Sequence, residues 1–273
     1  MAKNDGSIKY PSIAQLRAED SEEKSYLLFI IKNEQGEEVN RFTKAPQAGI
    51  QRVSWDGSYS STAKLSNTKA PLTQAGSANL ALPGTYTVSL YLSENGTLNP
   101  LGDSRQFALK WLENNTLQAE NRNELLSFQK QVEEWRRKVN ALEATQDELE
   151  KKASQLKAAT RNTPGAALAW LDSLHALQSE LADLKRIIHG DATLSKRHFA
   201  TPPSLMDRLG SISWNSYSST SAPTGTQKKN LRIVADTYAE IKPQLTALDN
   251  QLKRIQEALE EAGAPYLKGE MPE

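Results

Sequence analysis

The sequence predicts a multidomain β + α chain: an antiparallel β-sandwich of immunoglobulin-like size, then an elongated antiparallel bundle of three or four helices. Three observations lead there. The apolar period is two from about residue 25 to 111 and becomes heptad-like from about 114 to 263. The first part holds several short strand patterns with no helix pattern between them. In the second part each apolar stripe is one-sided, so each long helix needs partners. The resulting boundaries are a polar linker or tail over 1–24, the sandwich over 25–112, the bundle over 113–263 and a tail over 264–273.

Tyr26 to Ile31 is a continuous apolar run, suited to a strand buried on both faces. Asn33-Glu34-Gln35-Gly36 supplies a turn, and Val39 to Thr43 reads as the return strand of a hairpin. Ile50 to Trp55 reads as a third strand, stopped by Asp56-Gly57. After Pro83-Gly84 the alternation is clearest: Tyr86, Val88, Leu90 and Leu92 share one face, and Thr85, Thr87, Ser89 and Tyr91 the other. Phe107, Leu109 and Trp111 repeat the pattern in a last strand. Ser58 to Ala78 and Ser93 to Asp103 are rich in turn residues and read as connections.

Leu125, Phe128, Val132, Trp135, Val139, Leu142, Leu149 and Leu156 step by threes and fours, with Gln146 and Ala153 filling the gaps. Acid-first pairs such as Glu133–Arg137, Glu134–Lys138, Asp147–Lys151 and Glu148–Lys152 sit at i,i+4 and support this helix. Thr163-Pro164-Gly165 breaks it. A second helix carries Ala167, Trp170, Leu174, Leu177, Leu181, Leu184 and Ile188, and stops near Gly190. Pro202-Pro203-Ser204 opens a short third helix with Leu205, Leu209 and Ile212; Pro223-Thr224 opens the last. That helix carries a stripe from Leu231 to Leu259, a Pro243 that should kink it, and a Gly263 stop. The first and last helices run nearly full length, and the two shorter ones share the middle layer.

Composition narrows the chemistry. Lys and Arg total 33 and Asp and Glu total 33, which argues against a nucleic-acid binder. The absence of cysteine excludes disulfides, thiolate metal sites and cysteine nucleophiles. No apolar run of about 18 residues occurs, so no membrane span is expected, and residues 1–24 lack the apolar core of a signal peptide. His175, His189 and His198 match no metal-pair spacing, so neither metal nor cofactor is expected. The pairs Glu133-Glu134 and Glu260-Glu261 read as solvated helix faces rather than as an acid and a base. Trp55, Trp111, Trp135 and Trp170 read as core. Trp214, with Tyr217 nearby in the Ser/Thr-rich stretch 211–226, either plugs the bundle or contacts a ligand. No residue constellation specifies a reaction.

Gly49 to Gly57 reads G-I-Q-R-V-S-W-D-G, and Leu82 to Val88 reads L-P-G-T-Y-T-V. This signature, carried by Gly49, Trp55, Asp56, Gly57, Pro83, Gly84 and Tyr86, resembles the immunoglobulin-like domain of the flagellar hook-cap type, an appendage of secreted bacterial proteins. Tyr10-Pro11-Ser12, Leu16 to Asp20, Pro202 to Leu205, Pro223-Thr224 and Gly263 to Tyr266 punctuate the rest. In this order they resemble the carboxy-terminal region of large bacterial proteins with sortilin-like BNR-repeat β-propellers, often labelled glycosyl hydrolases. The resemblance implies a non-catalytic accessory region of an extracytoplasmic protein. Its partners are a missing amino-terminal propeller and a glycan or protein, with no nucleic acid and no membrane. The Asp-box motif of such propellers, S-x-D-x-G-x-T-W, does not occur here, so no catalytic residue carries over.

Overall fold

The structure, a computed structural model, describes residues 11–61, 77–110, 121–217 and 221–265; the side chains of 77–78 and 215–217 lie outside that description. These residues divide into two compact units, one within 11–110 and one within 121–265. The first is an antiparallel β-sheet region and the second a long helical region.

The β region opens with a short helix inside the segment read as a polar linker. This is α1 (Ile13–Ser21), capped where Ser12 and Gln15 exchange hydrogen bonds in a capping box. It buries none of its residues. Then come β1 (Tyr26–Lys32), β2 (Glu38–Lys44), β3 (Ser58–Ser60), β4 (Ser77–Leu80), β5 (Gly84–Glu94), β6 (Thr97–Pro100) and β7 (Arg105–Leu109). β1 sits between β2 and β5, while β6 and β7 both pair with the far edge of β5. Registers Phe29↔Phe42, Phe29↔Leu90, Ile31↔Val88 and Tyr86↔Phe107 put the alternating apolar residues on one face. There Ile31, Val39, Phe42, Ala81 and Tyr86 are buried, with Val53, Trp55 and Tyr59 packed against them. β3 and β4 form a separate two-stranded sheet. Asn40, 1 % exposed, ties the two sheets: its Nδ2 donates to the Ser58 carbonyl at 2.7 Å, and its Oδ1 accepts from Ser60 Oγ at 3.2 Å.

Three expectations change here: Ser58 to Ala78, read as a connection, carries β3 and the start of β4 as paired strands. Ile50 to Trp55 forms no strand, and Ile50 is fully exposed; pairing begins only after the turn at Gly57. The stretch 93–103 is not merely a connection, because Asn95 (φ 48°) and Gly96 (φ 76°) join β5 to β6 in a tight hairpin. Trp111, residues 62–76 and the tail beyond 265 lie outside the described residues.

The helical region contains α2 (Arg122–Asn162), α3 (Ala169–His189), the single turn α4 (Ala192–Ser195), α5 (Leu205–Tyr217) and α6 (Gly225–Glu261). The expected start of the first helix near 114 lies outside the described residues. Asn121 caps α2, a position the sequence pattern does not single out, while Thr224 at the start of α6 and Gly165 and Gly190 with positive φ after α2 and α3 fall where the sequence places them. At the end of α6, Ala264 N donates to the Leu259 carbonyl and Gly263 N to that of Glu260, a Schellman motif with Gly263 at its left-handed position. The segment Leu194–Phe199 repeats that motif after α4, with His198 (φ 59°) in place of glycine. α6 runs unbroken through the exposed Pro243. α5 also continues to Tyr217, through residues read as a loop.

Contacts between helices fix their directions. Glu143, Glu150 and Lys157 of α2 meet His189, Lys185 and Gln178 of α3, so numbers rise on one helix as they fall on the other. α5 continues that direction: Ile212 packs on Phe128 and Val132, near the start of α2. α6 instead runs parallel to α2, since Glu124 meets Lys228 at 3.0 Å and Trp135 stacks edge-on against Tyr238 at 5.6 Å. Buried residues from Val139 to Leu156, Leu174 to Ile188, Leu205 to Leu209 and Val234 to Leu259 form one continuous core.

Gln146 is completely buried in that core. Its Nε2 donates to Glu150 Oε2 at 3.3 Å, but its Oε1 has no partner among the described residues. An unsatisfied buried acceptor costs about 1–3 kcal/mol. Gln146→Leu is therefore expected to stabilise the helical region by ~1 kcal/mol, measured as a higher urea midpoint at unchanged m-value.

Two carboxylates tie stability to pH. The Lys185 ammonium, hydrogen-bonded to Glu150, holds that carboxyl below its ordinary value. Ser204, through its hydroxyl and backbone N–H, does the same for Asp207 at the start of α5. A depressed folded-state pKa contributes stability present above the unfolded value and lost as pH falls through the folded one. Thermal midpoints should fall as pH drops below about 4.5, and Asp207→Asn should flatten part of that dependence.

Candidate functional site

The residues of the sequence signature meet at one corner of the β region. Asp56 Oδ1 accepts from both the backbone N–H (3.0 Å) and the hydroxyl (2.6 Å) of Ser58, closing a turn whose centre is Gly57 at φ 76°. A Cβ at Gly57 would meet Leu109 at 3.9 Å, so backbone conformation rather than space selects glycine there. The Ser58 carbonyl, thus presented, accepts from Trp55 Nε1 at 2.8 Å as well as from Asn40. Ala81 N donates to the Gly57 carbonyl at 2.7 Å and carries the chain towards Pro83 and Gly84.

Beyond that turn, the Tyr86 hydroxyl donates back to the Leu82 carbonyl at 2.6 Å. This bond closes a corner four residues across, of the kind called a tyrosine corner. The Tyr86 ring lies 5.4 Å from Trp55 and 6.0 Å from Phe107, and Trp55 meets Phe107 edge-on at 5.9 Å. Burial raises the Tyr86 phenol above its ordinary pKa, aided by Tyr59 and Glu34. Thr85 N–H donates to Glu34 Oε1 at 2.9 Å and pulls that carboxyl below its ordinary value. Trp55, Asp56, Gly57, Pro83, Gly84 and Tyr86 thus form one joint. Gly49 stands apart from it at φ 85°, with nothing within 4 Å of its would-be Cβ. The cavity at this corner is about 100 Å³, below the roughly 300 Å³ at which ligand pockets begin. The corner's polar atoms hold backbone, so its chemistry is that of a hinge pin.

The helical region places the other candidates differently. Trp214 is 76 % exposed, which overturns the expectation that it plugs the helices; Tyr217's side chain lies outside the described residues. Trp135 and Trp170 are half-buried against the core. His189 Nε2 lies 3.5 Å from Glu143, while His175 and His198 are exposed. Glu133 corrects another expectation. It is 6 % exposed, beside Arg136 at 3.3 Å, whereas Glu134 stays at the surface with Arg137 and Lys138. Among the described residues, no cluster of three His, Cys, Asp or Glu is placed to hold a metal, and no helix is long and apolar enough to cross a membrane.

One concavity escaped the sequence. Between the amino-terminal turns of α2 and α6 lies a cleft of about 370 Å³. Phe128, Leu231 and Trp135 form its apolar floor; Glu124, Lys228 and Arg232 stand at its rim. Lys138 Nζ sits 4.6 Å above the Trp135 ring centre, which fixes that floor from outside. Its walls come from residues about 104 positions apart, as the Glu124–Lys228 bond marks, so no local pattern could reveal it. No protein-family model, curated protein or solved structure matches the chain.

Tyr86→Phe tests the corner. It leaves the Leu82 carbonyl without its phenol, and should destabilise the β region by about 1–2 kcal/mol while leaving the fold intact. Urea denaturation followed through Trp55 fluorescence, with the other four tryptophans replaced by phenylalanine, would measure this, and a change below a few tenths of a kcal/mol would contradict the assignment.

Proposed function

We propose that this chain is a non-catalytic accessory and structural region of a larger extracytoplasmic bacterial protein bearing a BNR-repeat propeller. In this reading the β region is an immunoglobulin-like sandwich, and the helical region an elongated bundle that spaces or braces the propeller or mediates protein interaction. One observation carries the structural half: an apolar core running the length of two parallel helices of 41 and 37 residues. At 1.5 Å per residue, α2 is roughly 60 Å long, the proportions of a strut rather than of a pocket-bearing globule. The tyrosine corner supports the sandwich, because that device anchors a Greek-key crossing between sheets. The convergence of six signature residues on that corner supports the hook-cap likeness. The parent protein rests on motif order alone. The chromosome upstream of the Met1 codon provides its test: an open frame encoding repeated S-x-D-x-G-x-T-W boxes is expected, and a frame without them overturns it.

A second reading is favoured by the exposure of Trp214. An indole 76 % open to solvent, on the exposed face of α5 with Asp207 and Ser211, is a platform on which a pyranose ring can stack. Here the chain is a carbohydrate-binding accessory module. Calorimetry against plant and host glycans should then give heat that Trp214→Ala removes; no heat from any glycan discards this reading.

A further inference from the structure

The cleft between α2 and α6 is crossed at both ends by contacts that the fold itself makes. At one end Lys228 Nζ of α6 donates to Glu124 Oε1 of α2 at 3.0 Å. At the other, Trp135 of α2 stands edge-on against Tyr238 of α6 at 5.6 Å. Glu124 and Trp135 are eleven positions apart, about 16 Å of helix at 1.5 Å per residue. Between the crossings, Phe128, Leu231 and Trp135 floor a compartment of about 370 Å³, a volume within the range of small-molecule sites. A partner helix laid along this seam would have to displace the Glu124–Lys228 bond. A small molecule fits between the crossings and leaves both in place.

The charges around the compartment leave one cation over. Glu124 and Lys228 satisfy each other, and Lys138, above the Trp135 ring, is engaged by Glu134 at 3.5 Å. Arg232 lines the cleft one turn beyond Lys228 and is exposed; among the described residues it makes no ion pair and no hydrogen bond. On the α2 wall, Ser127 and Gln131 are exposed one turn apart, and their side chains likewise have no hydrogen-bond partner among the described residues. A guanidinium presents a fork of donors that matches the two oxygens of a carboxylate. One uncommitted guanidinium balances one negative charge, not two. An aromatic floor with that guanidinium at its edge is the complement of a flat apolar body ending in a single carboxylate.

We propose that the α2/α6 cleft binds a small aromatic carboxylate. The ring lies on Phe128, Leu231 and Trp135, Arg232 holds the carboxylate, and Ser127 and Gln131 offer neutral donors from the opposite wall. The site goes beyond both readings above, since it needs neither the propeller nor Trp214. It places a ligand site at the end of the strut, where α2 and α6 both begin.

Cinnamate and its uncharged counterpart, cinnamyl alcohol, test this when titrated into the isotope-labelled full chain and followed by amide and indole N–H correlation spectra. Cinnamate should bind saturably with a Kd of about 1 mM or below. It should shift the Trp135 indole and the amides of 128–135 and 231–235, and leave the Trp214 indole unmoved. Cinnamyl alcohol should bind about fivefold more weakly, and so should cinnamate to Arg232→Gln, the worth of one exposed ion pair. Ala235→Phe, which fills the cleft, should abolish binding of both probes; circular dichroism checks that each variant is folded. No saturable shift at about 10 mM cinnamate overturns the inference. So do equal affinities for the two probes, an Arg232→Gln or Ala235→Phe variant that binds cinnamate like the wild type, or shifts centred on other residues.

Discussion

The helical region depends on one constraint: α2 carries an apolar stripe along its whole length, and no single partner covers it. α3 has 21 residues against the 41 of α2 and leaves the amino-terminal turns bare. α5 supplies the missing cover with Leu205, Leu209 and Ile212, and the chain returns as α6 only after this broken second pass. Three passes make the first and third parallel. That alignment places Trp135 beside Tyr238 and Glu124 beside Lys228, and opens the cleft between them. The buried Gln146 sits at one level of the stripe, where a polar group costs stability.

The β region depends on a smaller device. The Ser58 carbonyl receives both Trp55 and Asn40, one from its own turn and one from the other sheet. Removing either donor loosens the same joint, because the turn at Gly57 and the Tyr86 hydroxyl share an aromatic floor. The zero formal charge of the chain has a similarly local origin. Pairs such as Glu134 with Lys138 and Asp249 with Lys253 cancel within a turn of helix and leave few large single-sign faces.

Local information made much of this legible. The alternation of β5, the stripes of α2 and α6, the Thr224 cap and the Gly263 stop each depend on residues within a turn or two of one another. Asn95-Gly96 was equally local, a strong hairpin signal, yet it lay in a stretch whose composition resembled that of a loop. Ile50 to Trp55 shows the reverse failure: an apolar-rich run with strand propensity stays unpaired because pairing falls to the residues beyond Gly57. Glu133 reads as surface in any helical count of acids, yet tertiary packing buries it beside Arg136. The signature corner was visible as motifs but not as a hydrogen bond from Tyr86 to Leu82. The cleft was invisible, since its walls meet through topology rather than through sequence.

The parallel pairing of α2 and α6 also orders events in time. The α2–α3 hairpin forms from segments joined by a few residues, through contacts as near as the 21 positions between Lys157 and Gln178. The Glu124–Lys228 contact closes a loop spanning 104 positions. Loop-closure entropy grows with the logarithm of that span, and contacts of high sequence separation slow folding. Such an architecture favours a nascent chain that commits α2 and α3 to one another first. α6 then arrives last, at a surface already half built.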